Sequence, residues 1–216
     1  MTKINVNQKT MSNNRILSTT AQVTSIIFHP LLIPTFGFLL LFNSGFYFAL
    51  LPWSVMKFML LTVFLSTCVL PALSILILSM SPKFDLSMEK STDRILPLLL
   101  SSIFYYFGYL ILERLPVFPI YNLFIIASIL VQIALLIVSL KWKISAHSAA
   151  IGGLIGGVSA LSFRLQENAV LILSLLILVA GLVATSRLIL LKHTNSQVYA
   201  GFTLGFFIIG LVIAFI

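Results

Sequence analysis

Seven stretches of this chain run for about twenty residues each with almost no charge, roughly 22–43, 55–80, 95–112, 118–140, 147–163, 169–191 and 198–216. A helix needs about 20 apolar residues to cross the hydrocarbon layer of a bilayer. Inside that layer every backbone N–H and C=O must be satisfied by the segment itself or by a closed sheet. The ten-residue alternation of a membrane β-barrel is absent, so the stretches read as helices. Composition leaves no soluble alternative: 60% of the residues are apolar and 8% charged, against about 45–50% and about 25% in a globular domain. Mean hydropathy is +1.14. The expected fold class is therefore all-α, an integral membrane bundle of six to seven transmembrane helices. The first stretch is the irregular one, because His29-Pro30 and Pro34 interrupt its hydrogen-bond ladder. It is expected to kink or re-enter. The aromatic, charge-poor stretch Asn43–Pro52 reads as an interfacial turn.

Residues 1–20 are polar, with Lys3, Lys9 and Arg15, and lack both the apolar core and the small-residue cleavage site of a signal peptide. They are expected to form a short mobile tail ahead of one domain covering 21–216. Cys68 is the only cysteine; it sits in an apolar run, reads as a structural thiol, and fits no zinc pattern.

The ionisable residues gather in three connections: Lys83–Arg94 (KFDLSMEKSTDR), Lys141–His147 (KWKISAH) and Arg187–Gln197 (RLILLKHTNSQ). Two spans separate each from the next. A pair of spans returns the chain to the same face, so all three connections share one side of the membrane, whether or not the first stretch crosses. Of the 13 Lys and Arg residues, Lys57, Arg114 and Arg164 belong to the opposite face. This bias points the rich face to the cytoplasm. Thinly spread cations of this kind do not make a nucleic-acid surface, which needs a clustered basic face; the partners expected are membrane lipids and an anionic lipid substrate.

His147, His193, Arg94 and Arg187 all fall in these same-side connections, beside apolar runs where ionisable groups are costly unless paired or functional. Guanidinium groups grip phosphate oxygens in bidentate fashion. Imidazoles attack phosphorus or protonate a leaving alkoxide near neutral pH. Ser145 and His147 stand where a helix begins, and a helix N-terminus offers unpaired N–H groups to an anion. The four side chains together suggest a phosphate site.

The third connection reads S-R-x5-H-x3-Q from Ser186 and Arg187 through His193 to Gln197. It resembles the last motif of the type 2 phosphatidic acid phosphatase superfamily, S-R-x5-H-x3-D. Ile144-Ser145-Ala146-His147 resembles that family's P-S-G-H, and Lys90 to Arg94 followed by Pro97 is a looser match to its K-x6-R-P. The resemblance covers roughly residues 80–210. It implies that His193 is a nucleophile forming a phosphohistidine and that His147 protonates the leaving alcohol. Arg187, Arg94, Ser145 and Lys90 would bind the phosphoryl group, with Gln197 orienting His193. The implied substrate is a membrane lipid phosphate or diphosphate; neither a metal nor another cofactor is implied, since arginines neutralise the phosphoryl charge. The implied setting is a bacterial inner (cytoplasmic) membrane, and relatives that process envelope lipids commonly face outward.

The chain departs from the pattern in three places. Gln197 replaces an aspartate, Ser87 stands where the first motif has its lysine, and Ile144 and Ala146 replace Pro and Gly. The alternative reading is thus a catalytically weakened or inactive lipid-phosphate-binding membrane protein. A small transporter is a third reading, although its site would lie at the midplane on broken helices. His29 reads as an interfacial polar residue without chemistry. Lys141, Trp142 and Lys143 read as an interfacial anchor, and Asp85, Glu89 and Asp93 as a solvated salt-bridge cluster. Gly152, Gly153, Gly156 and Gly157 form overlapping G-x-x-x-G patterns that predict close helix packing, as do Gly201 and Gly205.

Overall fold

The structure, a computed structural model, describes residues 2–44, 50–81 and 92–215, with side chains from residue 15 onward. Every regular element among these residues is helical: α1 (Thr2–Ile27), α2 (Ile33–Phe42), α3 (Trp53–Phe64), α4 (Leu70–Ser79), α5 (Ile95–Leu112), α6 (Pro119–Ser139), α7 (Ala146–Leu165), α8 (Val170–Ile189) and α9 (Asn195–Phe215). A π-helical turn, Leu65–Val69, joins α3 to α4, and a 3-10 turn, Thr92–Arg94, leads into α5. Six helical stretches among the described residues are long and apolar enough to cross a membrane: Trp53–Ser79, Thr92–Leu112, Pro119–Ser139, Ala146–Leu165, Val170–Ile189 and Asn195–Phe215. Each matches one of the apolar runs to within a few residues.

The first run, 22–43, does not form one helix. Its prolines end α1 at Ile27 and place Pro34 in the first turn of α2, where a missing N–H costs nothing. The ten residues of α2 rise only about 15 Å, half of a bilayer core. The polar stretch 1–20, expected as a tail, lies from Thr2 onward within α1. The break between α1 and α2 is held from α3–α4: the buried Thr67 hydroxyl, on the π turn, donates to the Leu31 carbonyl at 3.3 Å. That turn directly precedes Pro71, which lacks the N–H an α-helical ladder would use there. Below the break, the fully buried Phe38 ring packs 5.7 Å from Tyr121 and 5.9 Å from Phe124, wedging α2 into the bundle.

Helix α7 is the buried centre, and α9 runs alongside it in parallel. A Cβ at Gly205 would collide with the Ala149 carbonyl oxygen, one at Gly152 with the Phe202 carbonyl and one at Gly201 with the Ser145 carbonyl. The glycines of both helices are thus the close-packing surface that their spacing predicts. The consequence for the site is register, because the N-terminal ends of α7 and α9 are held side by side. A hydrogen bond from the Ser145 N–H to the Gln197 carbonyl, 3.2 Å, closes the junction. On α8, Leu171, Leu175, Leu178 and Leu182 are exposed along one stripe, the face such a helix turns to lipid.

Candidate functional site

The N-terminal ends of α5, α7 and α9, the C-terminal end of α8 and the α1–α2 break meet around one cavity of about 350 Å³. Arg94, His147, Arg187 and His193 all line it, together with Lys192 and His29. Three same-side connections therefore supply one wall. Of the other residues expected in the site, Ser145 and Gln197 lie behind that wall, and Lys90 lies outside the described residues.

His193 is buried, 8% exposed, between α8 and α9. Its Nδ1 lies 3.0 Å from Gln197 Oε1. The Thr194 N–H donates to the same oxygen at 3.2 Å, so that atom accepts and Nδ1 must carry a proton. In the neutral ring Nε2 then keeps the lone pair. Burial, and next the Arg94 guanidinium, lower the His193 pKa to about 4, against the opposing pull of the Gln197 hydrogen bond; Arg187 and Lys143 add to the lowering. At neutral pH the ring is uncharged, as a nucleophile requires.

His147 stands in the first turn of α7. Its Nε2 lies 3.2 Å from the Ser25 carbonyl of α1, an oxygen that only accepts, so Nε2 bears the proton. Ser25 also takes Arg187: its hydroxyl oxygen accepts from Arg187 Nη1 at 3.2 Å. The Arg187 Nε, buried, has no hydrogen-bond partner. A guanidinium with an unspent donor on a cavity wall is suited to an anion's oxygen. Arg94 Nη1 donates to the Ile144 carbonyl at 2.9 Å, which ties α5 to the start of α7. Among the described residues no Asp or Glu lines the cavity.

Ser145 differs from expectation. It is fully buried and caps α7, its Oγ accepting from the Ser148 N–H at 3.3 Å and from the Ser148 hydroxyl at 3.0 Å. It does not line the cavity; its hydroxyl serves the helix start that presents His147.

Among the residues that escaped the sequence reading, His29 and Ser25 touch His147 and Arg187 of the rim directly. His29, expected to be a bystander, packs its ring edge-to-face on His147 with centroids 5.3 Å apart. Its Nδ1 accepts from the Leu31 N–H at 3.4 Å, which leaves Nε2 as its N–H. The signal available was the His-Pro break inside an apolar run. Ser25 had no signal, since a serine in an apolar helix normally bonds its own backbone.

The model of the PAP2 superfamily matches residues 137–216. No curated protein and no solved structure matches the chain significantly. The matched segment holds the second and third motifs, with His147, Arg187, His193 and Gln197, and leaves out the looser first motif around Arg94. Residues 137–216, the segment that carries these motifs, are therefore similar to the type 2 phosphatidic acid phosphatase superfamily, whose members are phosphatases.

Proposed function

We propose that this protein hydrolyses a membrane lipid phosphate or diphosphate at the cavity rim through a phosphohistidine on His193. The observation that carries the reading is the shared wall: an uncharged imidazole with a fixed tautomer beside two guanidinium groups and a second imidazole. The lipid's phosphoryl group lies against Arg94 and Arg187. His193 Nε2 attacks phosphorus, the bond from phosphorus to the lipid oxygen breaks, and that oxygen leaves with the electron pair. His147, which the negative phosphoryl group favours in its imidazolium form, gives the alkoxide a proton. Water then attacks phosphorus, His147 takes the proton back, and the N–P bond breaks to free phosphate and restore His193. The two arginines neutralise the phosphoryl charge in flight, so the reaction is proposed to need no metal. The lipid tail enters sideways from the bilayer.

Gln197 favours a second reading. An amide oxygen fixes the His193 tautomer as an aspartate would, but it stabilises the charged phosphoimidazole less. A protein that binds lipid phosphates and turns them over slowly or not at all is consistent with the same wall.

Phosphate release by the purified protein from a panel of lipid phosphates and diphosphates, with and without chelator, separates the readings. Hydrolysis is expected with either, and His193→Ala is expected to lower it by at least about 10³-fold, as loss of a nucleophile does elsewhere. Full activity in that variant would remove His193 from the mechanism.

A further inference from the structure

Below its charged rim the cavity runs on between α5 and α6, into the layer where the lipid tail lies. Hydrocarbon walls would suffice for a plain tail, yet Ser101 and Tyr105 of α5 and Ser128, Gln132 and Ser139 of α6 line this part. Ser101 follows Arg94 by seven residues and Gln132 precedes Ser139 by seven. The two antiparallel helices therefore bring Ser101 and Gln132 to one level, about 10 Å below the rim. Tyr105 lies one turn deeper on α5.

Three of these side chains are buried with polar atoms unpaired: the Tyr105 hydroxyl (1% exposed), Gln132 Oε1 (8%) and Ser139 Oγ (1%). Tyr105 and Gln132 approach each other, but neither the hydroxyl nor Oε1 closes a well-formed hydrogen bond. Ser101 and Ser128 instead donate back to their own helix, to the Pro97 and Phe124 carbonyls at 2.7 and 2.8 Å. An unpaired buried donor or acceptor carries its full desolvation penalty, which phenylalanine at 105 and leucine at 132 would avoid. A ligand that supplies the partners recovers that penalty.

We propose that Tyr105 and Gln132, with Ser139 nearer the rim, form a hydrogen-bonding subsite within the membrane layer that grips a carbonyl or hydroxyl on the tail of the lipid phosphate. The subsite rests on the reading of the rim as a lipid-phosphate site, and it selects acyl-linked or hydroxylated lipids over an all-hydrocarbon polyprenyl chain. Tyr105 donates to a carbonyl; Gln132 Oε1 accepts from a hydroxyl or amide N–H.

Native mass spectrometry of the full chain tests this without requiring turnover. The probes are a diacylglycerol phosphate, a ceramide phosphate and a polyprenyl phosphate, all monophosphates. Tyr105→Phe combined with Gln132→Leu is expected to weaken binding of the first two about tenfold, as loss of one or two hydrogen bonds does, and to leave the third unchanged. An equal change for all three lipids, or none, overturns the subsite. Without lipid, the Tm of Tyr105→Phe should stay level or rise; a fall would show that the hydroxyl serves the fold and would also overturn it. Phosphate release by the wild type on the same lipids reports on catalysis separately. Absent release with intact binding preference sinks the phosphatase reading alone, and release with no change of preference in the variant sinks the subsite alone.

Discussion

One amide oxygen decides which nitrogen of His193 is left as a base. Because Gln197 Oε1 accepts from both His193 Nδ1 and the Thr194 N–H, Nε2 keeps its lone pair, and burial holds the ring neutral with a pKa of about 4. The sign of the pH effect follows: if His193 is the nucleophile, activity is expected to persist down to acid pH and to fall as pH drops through that value and His193 gains a proton. A carboxylate at 197 would favour the imidazolium and raise this pKa. Gln197→Asp is therefore expected to move the acid limb of kcat/KM upward. It should also raise the rate, by well under the roughly 10⁴-fold that the reverse change costs a serine-protease triad through a wrong tautomer, because Gln197 already holds the right one. An unmoved limb in a pH profile of the variant would show that residue 197 does not govern His193. The motif spacing made this pair legible in the sequence: His193 stands just ahead of α9, and Gln197 in the first turn of that helix reaches back to it and to the Thr194 N–H. His29 was not legible, because its approach to His147 depends on a chain break that local spacing does not encode.

At the scale of elements, the site is an assembly of helix ends. Glycine pairs between α7 and α9 set the register that puts His147 beside His193, and that much could be read from the G-x-x-x-G spacing. The part played by α1 could not. It ends at the proline break, and its Ser25 bonds His147 through the carbonyl and Arg187 through the hydroxyl. A serine four residues ahead of a histidine in an apolar run carries no pattern, and only tertiary packing places it. Ser25→Ala should release the Arg187 guanidinium and raise KM for a lipid phosphate about tenfold, the effect of losing one hydrogen bond to a charged group. Lipid titration in a phosphate-release assay checks it; an unchanged KM would mean that Arg187 is held without Ser25.

The whole molecule follows from counting spans. Counted from Arg94, even numbers of crossings return Lys141 and Lys192 to the face that carries the cavity rim, and an odd number puts Glu167 on the other. In a Cys68→Ser background, Lys141→Cys and Lys192→Cys are expected to react with an impermeant thiol reagent from the same side of sealed vesicles, and Glu167→Cys from the opposite side. Opposite-side labelling of the first two would break the hairpin count. The same experiment decides whether the rim meets the cytoplasm, as charge bias points, or the envelope side. Architecture was legible in the sequence because hydrocarbon demands long apolar helices. The cavity between α5 and α6 was not, because it is built from polar residues that look unremarkable inside their separate spans.

The central claim is a covalent bond between phosphorus and His193. A phosphohistidine survives alkali and breaks in acid, so protein mixed with a radiolabelled lipid phosphate and quenched in alkali should hold label on the peptide that contains His193. That label should vanish on acidification and be absent from His193→Ala. Phosphate release without any trapped label, or label that persists in His193→Ala, would contradict the account.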